Sequence, residues 1–329
     1  MLRWRLIVGT LAVAGLAGLC WLDHRASIAG IWLGPLAGVL AALAAQELLA
    51  LVAAAGICPQ PLVVYGGTIL ILASNWFGLA LGDPSWPAAA LEGDSPVFAA
   101  SAAKVGTVPV NGYAAAGHGS LACPFSAPCI ALAVGVAAAF AAEMRRFERP
   151  GKALAPLAAT TLALVYIGLM LSFAVQLRLV FGVAALVSLV LVVKLADTGA
   201  YAVGRLLGRH KMAPVLSPGK TWEGAAGALA MALAGAWISA ALVVPAVPPP
   251  HQVPGRPSPW WGWIVYGCVL ALLGMLGDLA ESLLKREAGR KDSSTWLPGL
   301  GGVLDMLDSI LLAAPAAYLF WALGLVGRQ

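Results

Sequence analysis

The chain has 329 residues, of which 60% are hydrophobic and 11% charged, and its mean hydropathy is +0.87. That leaves too little polar surface to coat a water-soluble globule of this size, which excludes a soluble enzyme or binding module and marks a polytopic membrane protein. The net charge of +5 is modest, and its distribution favours anionic headgroups and nucleotides over nucleic acid.

Apolar runs long enough to cross about 30 Å of hydrocarbon occur near residues 6–22, 28–57, 62–82, 129–144, 153–175, 179–204, 224–247, 260–280 and 303–325. The expected architecture is an all-α polytopic membrane protein with about nine transmembrane helices. It divides into N-terminal spans and an outer loop (1–128), middle spans (129–190) and a C-terminal catalytic region (191–329). Basic residues test the count, because cytoplasmic loops are the richer in Lys and Arg. With the N-terminus inside, fourteen fall on the inner side, from Arg3 to Lys291, and five outside, namely Arg25, Lys104, Arg178, Arg256 and Arg328. The polar clusters of the C-terminal region then face the cytoplasm.

In the first three spans Glu47 is the notable charge, near the end of the second. An acid at a helix centre costs on the order of 2.5–3.5 kcal/mol in lipid, less near an end, so Glu47 reads as an interfacial structural residue. Residues 83–128 lack any long apolar period and read as an outer loop, and Arg145 to Lys152 form a basic inner loop that anchors topology.

The stretch Lys194 to Gly227 carries the first chemistry. On a helix Lys194, Asp197, Tyr201 and Arg205 share one face, and Gly204 and Gly208 allow another backbone to come close. The turn that follows, Ser217-Pro218-Gly219-Lys220-Thr221, offers a Pro-Gly bend, a lysine and two hydroxyls to an anion, with Glu223 at the next helix start. Its glycine spacing is not that of the phosphate loop of soluble nucleotidases.

Polar residues concentrate most strongly from Gly277 to Ser309. Asp278, Glu281, Ser282 and Lys285 follow at i, i+3, i+4 and i+7, so a carboxylate face becomes a cationic one along a single helix. Lys285, Arg286, Arg290 and Lys291 crowd the next segment. Pro298, Gly299, Gly301 and Gly302 then break any helix before Asp305 and Asp308 open the last apolar run. Carboxylates on two helix ends suit a hard divalent cation such as Mg2+, and the cations and loop amides suit phosphate oxygens. The pattern describes phosphoryl transfer.

These residues resemble the signature of the phosphatidate cytidylyltransferase (CDP-diacylglycerol synthase) family: Ser-x-apolar-Lys-Arg, four residues, Lys-Asp, a Pro-x-His-Gly-Gly turn and Asp-Arg-x-Asp. Ser282, Leu284, Lys285, Arg286, Lys291, Asp292, Ser294, Leu297, Pro298, Gly301, Gly302, Asp305 and Asp308 fit it in one register, while Leu300 stands in place of the histidine and Met306 in place of the arginine. The earlier segment resembles the same family at Asp197, Tyr201, Gly204, Arg205, Gly208, Ser217, Pro218, Lys220, Thr221, Glu223 and Gly224.

The resemblance implies that phosphatidate and CTP give CDP-diacylglycerol and pyrophosphate. It also implies Mg2+, room for a second, monovalent cation, and a homodimer. Position and motif together assign Asp278, Asp305 and Asp308 to metal. Asp197, Lys220, Lys285, Arg286, Lys291 and Asp292 are assigned to catalysis, and Arg205, Ser217, Thr221, Ser282, Gly301 and Gly302 to substrate. Glu281 and Glu223 are candidates for structural ion-pair partners. Two rivals stand beside this reading. One is a related nucleotidyl- or phosphotransferase acting on another membrane lipid. The other is a transporter, which would place ionisable groups near the midplane, often in broken helices of two repeated halves; the sequence shows neither.

Overall fold

A computed structural model describes residues 2–77, 126–248, 258–290, 293–294 and 301–327, with side chains from residue 14 onward. The sequence expectations for the 83–125 loop, Lys291, Asp292 and Leu300 lie outside the described residues.

Each apolar run contains a helix among the described residues, because a backbone in lipid must satisfy its own hydrogen bonds. In chain order the helices are α1 (Leu2–Arg25), α2 (Leu33–Ala54), α3 (Pro61–Ala73), α4 (Ser126–Arg146), α5 (Leu154–Phe181), α6 (Val183–Leu207), α7 (Trp222–Ala246), α8 (Trp260–Glu287) and α9 (Val303–Ala322). Among the described residues seven of these, α2 and α4 to α9, are long and apolar enough to cross a membrane. A π-helical turn widens α5 over Leu164–Leu169 and another widens α7 over Ser239–Val243. The protein is an all-α, multi-pass membrane protein.

Two features depart from the sequence expectation. Residues 211–221 form a β-hairpin in which β1 (Lys211–Ala213) pairs antiparallel with β2 (Ser217–Thr221). Pro218 and Gly219 therefore lie in a strand and not at a bend. A two-stranded ribbon leaves each strand an open edge, where proline's missing N–H breaks no ladder bond. The second departure is Arg178, expected in an outer loop. The helix runs on to Phe181 and turns at Gly182 (φ +89°), so Arg178 stays helical and buried. What retains it is Asp23 at the end of α1. This carboxylate is 0% exposed and accepts from Arg178 Nε at 2.5 Å, Gly30 N at 3.2 Å, Trp32 N at 3.0 Å and Leu33 N at 3.4 Å.

The C-terminal helices α6, α7, α8 and α9 pack with α5 and α2 around one apolar core, built on Leu189, Val192, Val193, Ala228, Ala232, Tyr266, Leu270, Leu304 and Leu311. Small residues set the closest approaches. A Cβ on Gly199 would overlap the carbonyl oxygen of Gly227, and one on Gly227 would lie 2.5 Å from Val203 Cγ2. Glycines on facing helices thus bring the α6 and α7 backbones together, as is general where lipid supplies no hydrophobic drive for helix association.

Candidate active site

At the end of the bundle where α6 and α8 finish and α9 begins, a cavity of about 440 Å3 opens. The helix crossing of α8 and α9 makes it. A Cβ on Gly277 would overlap the carbonyl oxygen of Asp308, so only glycine permits the approach that sets Asp278 beside Asp308. Glu281, one turn along α8, completes the group. Carboxylate oxygens of Asp278, Glu281 and Asp308 lie within 4.8 Å of one another.

Two lysines face these acids. Lys285 Nζ donates to Glu281 Oε2 at 2.7 Å and to Asp305 Oδ1 at 2.6 Å, bridging α8 to α9. Lys220 Nζ, from β2, lies 2.9 Å from Asp278 Oδ2 and 3.3 Å from the Met275 carbonyl. Glu281 is 1% exposed, and its Oε1 has no hydrogen-bond partner among the described residues. Uncompensated buried acid is expensive unless something pairs with it, and the carboxylates here outnumber the two lysines that face them. A third pair, Lys194 Nζ to Asp197 Oδ2 at 3.0 Å, lies half-exposed on α6.

The start of α9 is held from three directions. Asp305 Oδ2 accepts from Gly302 N and Ser293 Oγ, both at 2.7 Å. Glu47, from α2, accepts from Val303 N at 2.9 Å and Leu304 N at 2.8 Å, and with Asp305 it shares the one hydroxyl proton of Ser293, whose Oγ lies 3.0 Å away. These carboxylates satisfy the first free amides of the helix and oppose its dipole. Gly301, at φ +83°, and Gly302 leave room for them; a Cβ on Gly302 would strike Ser293 Oγ and Glu47 Oε2. Glu47 thus caps α9 from across the bundle, and its long-range partners carry no periodic signal in the sequence.

Of the residues singled out by sequence, Asp197, Tyr201, Ser217, Lys220, Thr221, Asp278, Glu281, Lys285, Asp305 and Asp308 line the cavity, together with Ser309. Asp305 spends its oxygens on Lys285, Ser293 and Gly302, and it is Glu281 that stands with Asp278 and Asp308. The signal for Glu281 was its position one turn after Asp278. Thr221 also caps α7, its hydroxyl accepting from Gly224 N at 3.1 Å.

Arg205, Ser282, Arg286, Gly301 and Gly302 lie outside the cavity lining. Arg205 donates to Tyr201 Oη at 2.6 Å. Arg286 Nε donates to the Leu216 carbonyl at 3.1 Å, which ties the hairpin turn to the end of α8. Glu223 holds the other end of the hairpin, accepting from Arg209 N at 3.1 Å and His210 N at 3.2 Å and pairing with His210 Nδ1 at 2.6 Å.

A sequence profile described as the cytidylyltransferase family matches residues 3–323. The chain belongs to the cytidylyltransferase family. Similar curated relatives carry the name phosphatidate cytidylyltransferase. That of Brucella suis is 45% identical over 143 residues, covering 44% of this chain and 48% of its own length. That of Mycobacterium bovis is 38% identical over 171 residues, covering 52% of each. That of Bacillus subtilis is 38% identical over 165 residues, covering 50% of this chain and 57% of its own length. The chain thus spans about half the length of the curated relatives it matches.

The cluster also meets the requirements of the Mg2+ that the family resemblance implies. Its donors are all hard oxygens from three carboxylates, and one of those oxygens is buried without a partner among the described residues.

Proposed function

We propose that the protein is a phosphatidate cytidylyltransferase, which transfers CMP from CTP to phosphatidate and releases pyrophosphate. The observation that carries this reading is the pairing of an acid cluster with Lys220 and Lys285 in one cavity, within a chain of the cytidylyltransferase family.

The chemistry follows from charge. Both substrates are anions, and two unit charges about 4 Å apart repel by about 4 kcal/mol at an effective dielectric of 20. An oxygen of the lipid phosphate attacks the α-phosphorus of CTP, the bond between that phosphorus and the oxygen bridging to the β-phosphate breaks, and pyrophosphate leaves. The protein supplies no nucleophile, because the lipid phosphate is one. Asp278, Glu281 and Asp308 would hold Mg2+, which when bound neutralises phosphate charge and polarises the phosphorus centre. Lys220, fixed by Asp278 and the Met275 carbonyl, and Lys285, fixed by Glu281 and Asp305, present two oriented cations to phosphate oxygens, so little reorganisation is left for the reaction itself. Asp305 acts by holding Lys285 and the glycine turn.

The concentration of Lys and Arg on one set of loops supports a cytoplasm-facing cavity, where CTP is available, and the resemblance to the family supports a homodimer. Leu300 and Met306 do not abolish activity in this reading, since the acids and both lysines are in place. The test is purified protein in detergent with labelled CTP, Mg2+ and a panel of lipid phosphates. CDP-diacylglycerol from phosphatidate is the expected product. Failure of the native sequence to make any CDP-lipid, above all if Leu300→His with Met306→Arg makes it, overturns the proposal.

A further inference from the structure

Tyr166 is more than nine-tenths buried, at 7% exposure, and its hydroxyl has no hydrogen-bond partner among the described residues. A buried phenol ordinarily finds one. It sits in the π-helical turn of α5, Leu164–Leu169, a distortion that occurs often at functional sites.

Ring contacts fix where along the bundle this hydroxyl lies. Phe173 and Phe181 of α5 flank Tyr318 of α9, with ring centroids 5.8 and 5.5 Å apart, and Phe181 also reaches Trp321 at 5.9 Å. Later residues of one helix meet later residues of the other, so α5 and α9 run parallel. Tyr166 precedes Phe173 by about two turns, or roughly 10 Å at 1.5 Å per residue. The same step back from Tyr318 reaches Leu311, one turn beyond Asp308. Helical side chains lean toward the N-terminus of their own helix, which carries the phenol from the level of Leu311 toward that of Asp308. Tyr166 shares the core with Leu304, Leu307 and Leu311, and the carboxyl groups of Asp308, Glu281 and Asp278 lie within electrostatic reach of its hydroxyl. Ser309 donates twice to Asp308, through N at 2.5 Å and Oγ at 2.9 Å, both to Oδ1.

We propose that Tyr166 is a positioning residue of the carboxylate cluster, whose hydroxyl donates a hydrogen bond to Asp308, directly or through one water, when a divalent cation occupies Asp278, Glu281 and Asp308. This rests on the assignment of a cation to that cluster. The phenol supplies on the apolar side what Ser309 supplies on the other, a donor that fixes the ligand's orientation. Partners of this kind are worth about ten- to a hundredfold in metal affinity.

The experiment measures binding of Mn2+, a spectroscopically visible substitute for Mg2+, by electron paramagnetic resonance, beside thermal melting of the metal-free protein. Tyr166→Phe keeps the ring and removes only the hydroxyl. It is expected to melt no lower than wild type, since an unpartnered buried donor is removed, and to bind Mn2+ about tenfold or more weakly. Thr68→Val, which removes the other buried hydroxyl without a partner among the described residues, is expected to leave Mn2+ binding unchanged. Should Tyr166→Phe fold poorly, replacement of Tyr166 by 3-fluorotyrosine, a stronger donor of nearly the same shape, decides the matter by tightening Mn2+ binding. An unchanged affinity with either Tyr166 replacement overturns the inference, as does an equal loss in Thr68→Val. If Asp308→Asn weakens Mn2+ binding while Tyr166→Phe does not, this inference alone fails. If wild-type protein binds no Mn2+, the carboxylate assignment fails with it.

Discussion

The two ends of the bundle use the same residue types to opposite effect. At the end where α1 meets α5, one buried acid, Asp23, is matched by one buried base, Arg178, and by backbone amides of Gly30, Trp32 and Leu33. Toward the other end, where Asp197 and Tyr201 of α6 line the cavity, Asp278, Glu281, Asp305 and Asp308 face Lys220 and Lys285, and Glu281 Oε1 goes without a partner among the described residues. A satisfied buried pair fixes geometry. An unsatisfied surplus of one sign, kept in place by helix packing, holds free energy that a ligand of the opposite charge can release. The first arrangement is architecture, and the second is what the proposed function reads as a binding site.

Removing one partner from the matched end separates the two roles most sharply. Arg178→Met leaves Asp23 buried with only amide donors, and it is expected to destabilise the protein by about 3–5 kcal/mol while the turnover of the molecules that remain folded is unchanged. Thermal unfolding in detergent, read beside CMP transfer per folded molecule, checks this; selective loss of turnover would show that the ion pair reaches the site. Next in size is the converse substitution. Asp308→Asn and Asp278→Asn are each expected to lower turnover about 10²- to 10³-fold, or ~3–4 kcal/mol at the barrier, with stability held or raised in Asp308→Asn because a like charge is gone. Near-normal turnover at limiting Mg2+ in both would remove these carboxylates from the chemistry.

Gly277→Ala probes the packing that creates the surplus. Its methyl group meets the Asp308 carbonyl, so α8 and α9 must part. The expected result is a loss of about 1–3 kcal/mol in stability, with a fall in turnover that added Mg2+ restores only in part. If turnover and melting temperature are both unchanged, the close crossing is not what assembles the cluster. The smallest effect is expected from Glu47→Gln, which keeps the shape but weakens the cap on α9, at about 1 kcal/mol of stability with a modest rise in the Mg2+ requirement.

Much of this contrast was legible in the sequence, because helical periodicity is local. Apolar runs marked the helices, and helical spacing put Glu281 on one face with Lys285 and Lys194 on one face with Asp197, which the structure joins as ion pairs. What escaped the reading depends on contacts remote along the chain. Arg178 looked like a loop residue until Asp23, 155 positions away, met it. Glu281 was a candidate for an ion-pair partner, and it pairs with Lys285 through Oε2, but the crossing at Gly277 also puts its carboxylate beside Asp308. The hairpin was hidden because proline and glycine signal a bend locally, whereas the pairing of Lys211 with Thr221 makes the segment a strand.

The cap that Glu47 places on α9 also has a consequence for biogenesis. The acid is translated early, and the amides it accepts from belong to residues 256 and 257 positions later. At roughly 5–20 residues per second of synthesis, Glu47 enters the bilayer tens of seconds before its partners exist. A nascent chain must carry that acid near the interface, where the cost is least, until the last helix arrives and draws it inward. Insertion of α9 is thus the event that pairs Glu47 and brings Asp305 and Asp308 to the cavity, and a ribosome stalled before residue 303 would leave that acid without its partners in the membrane.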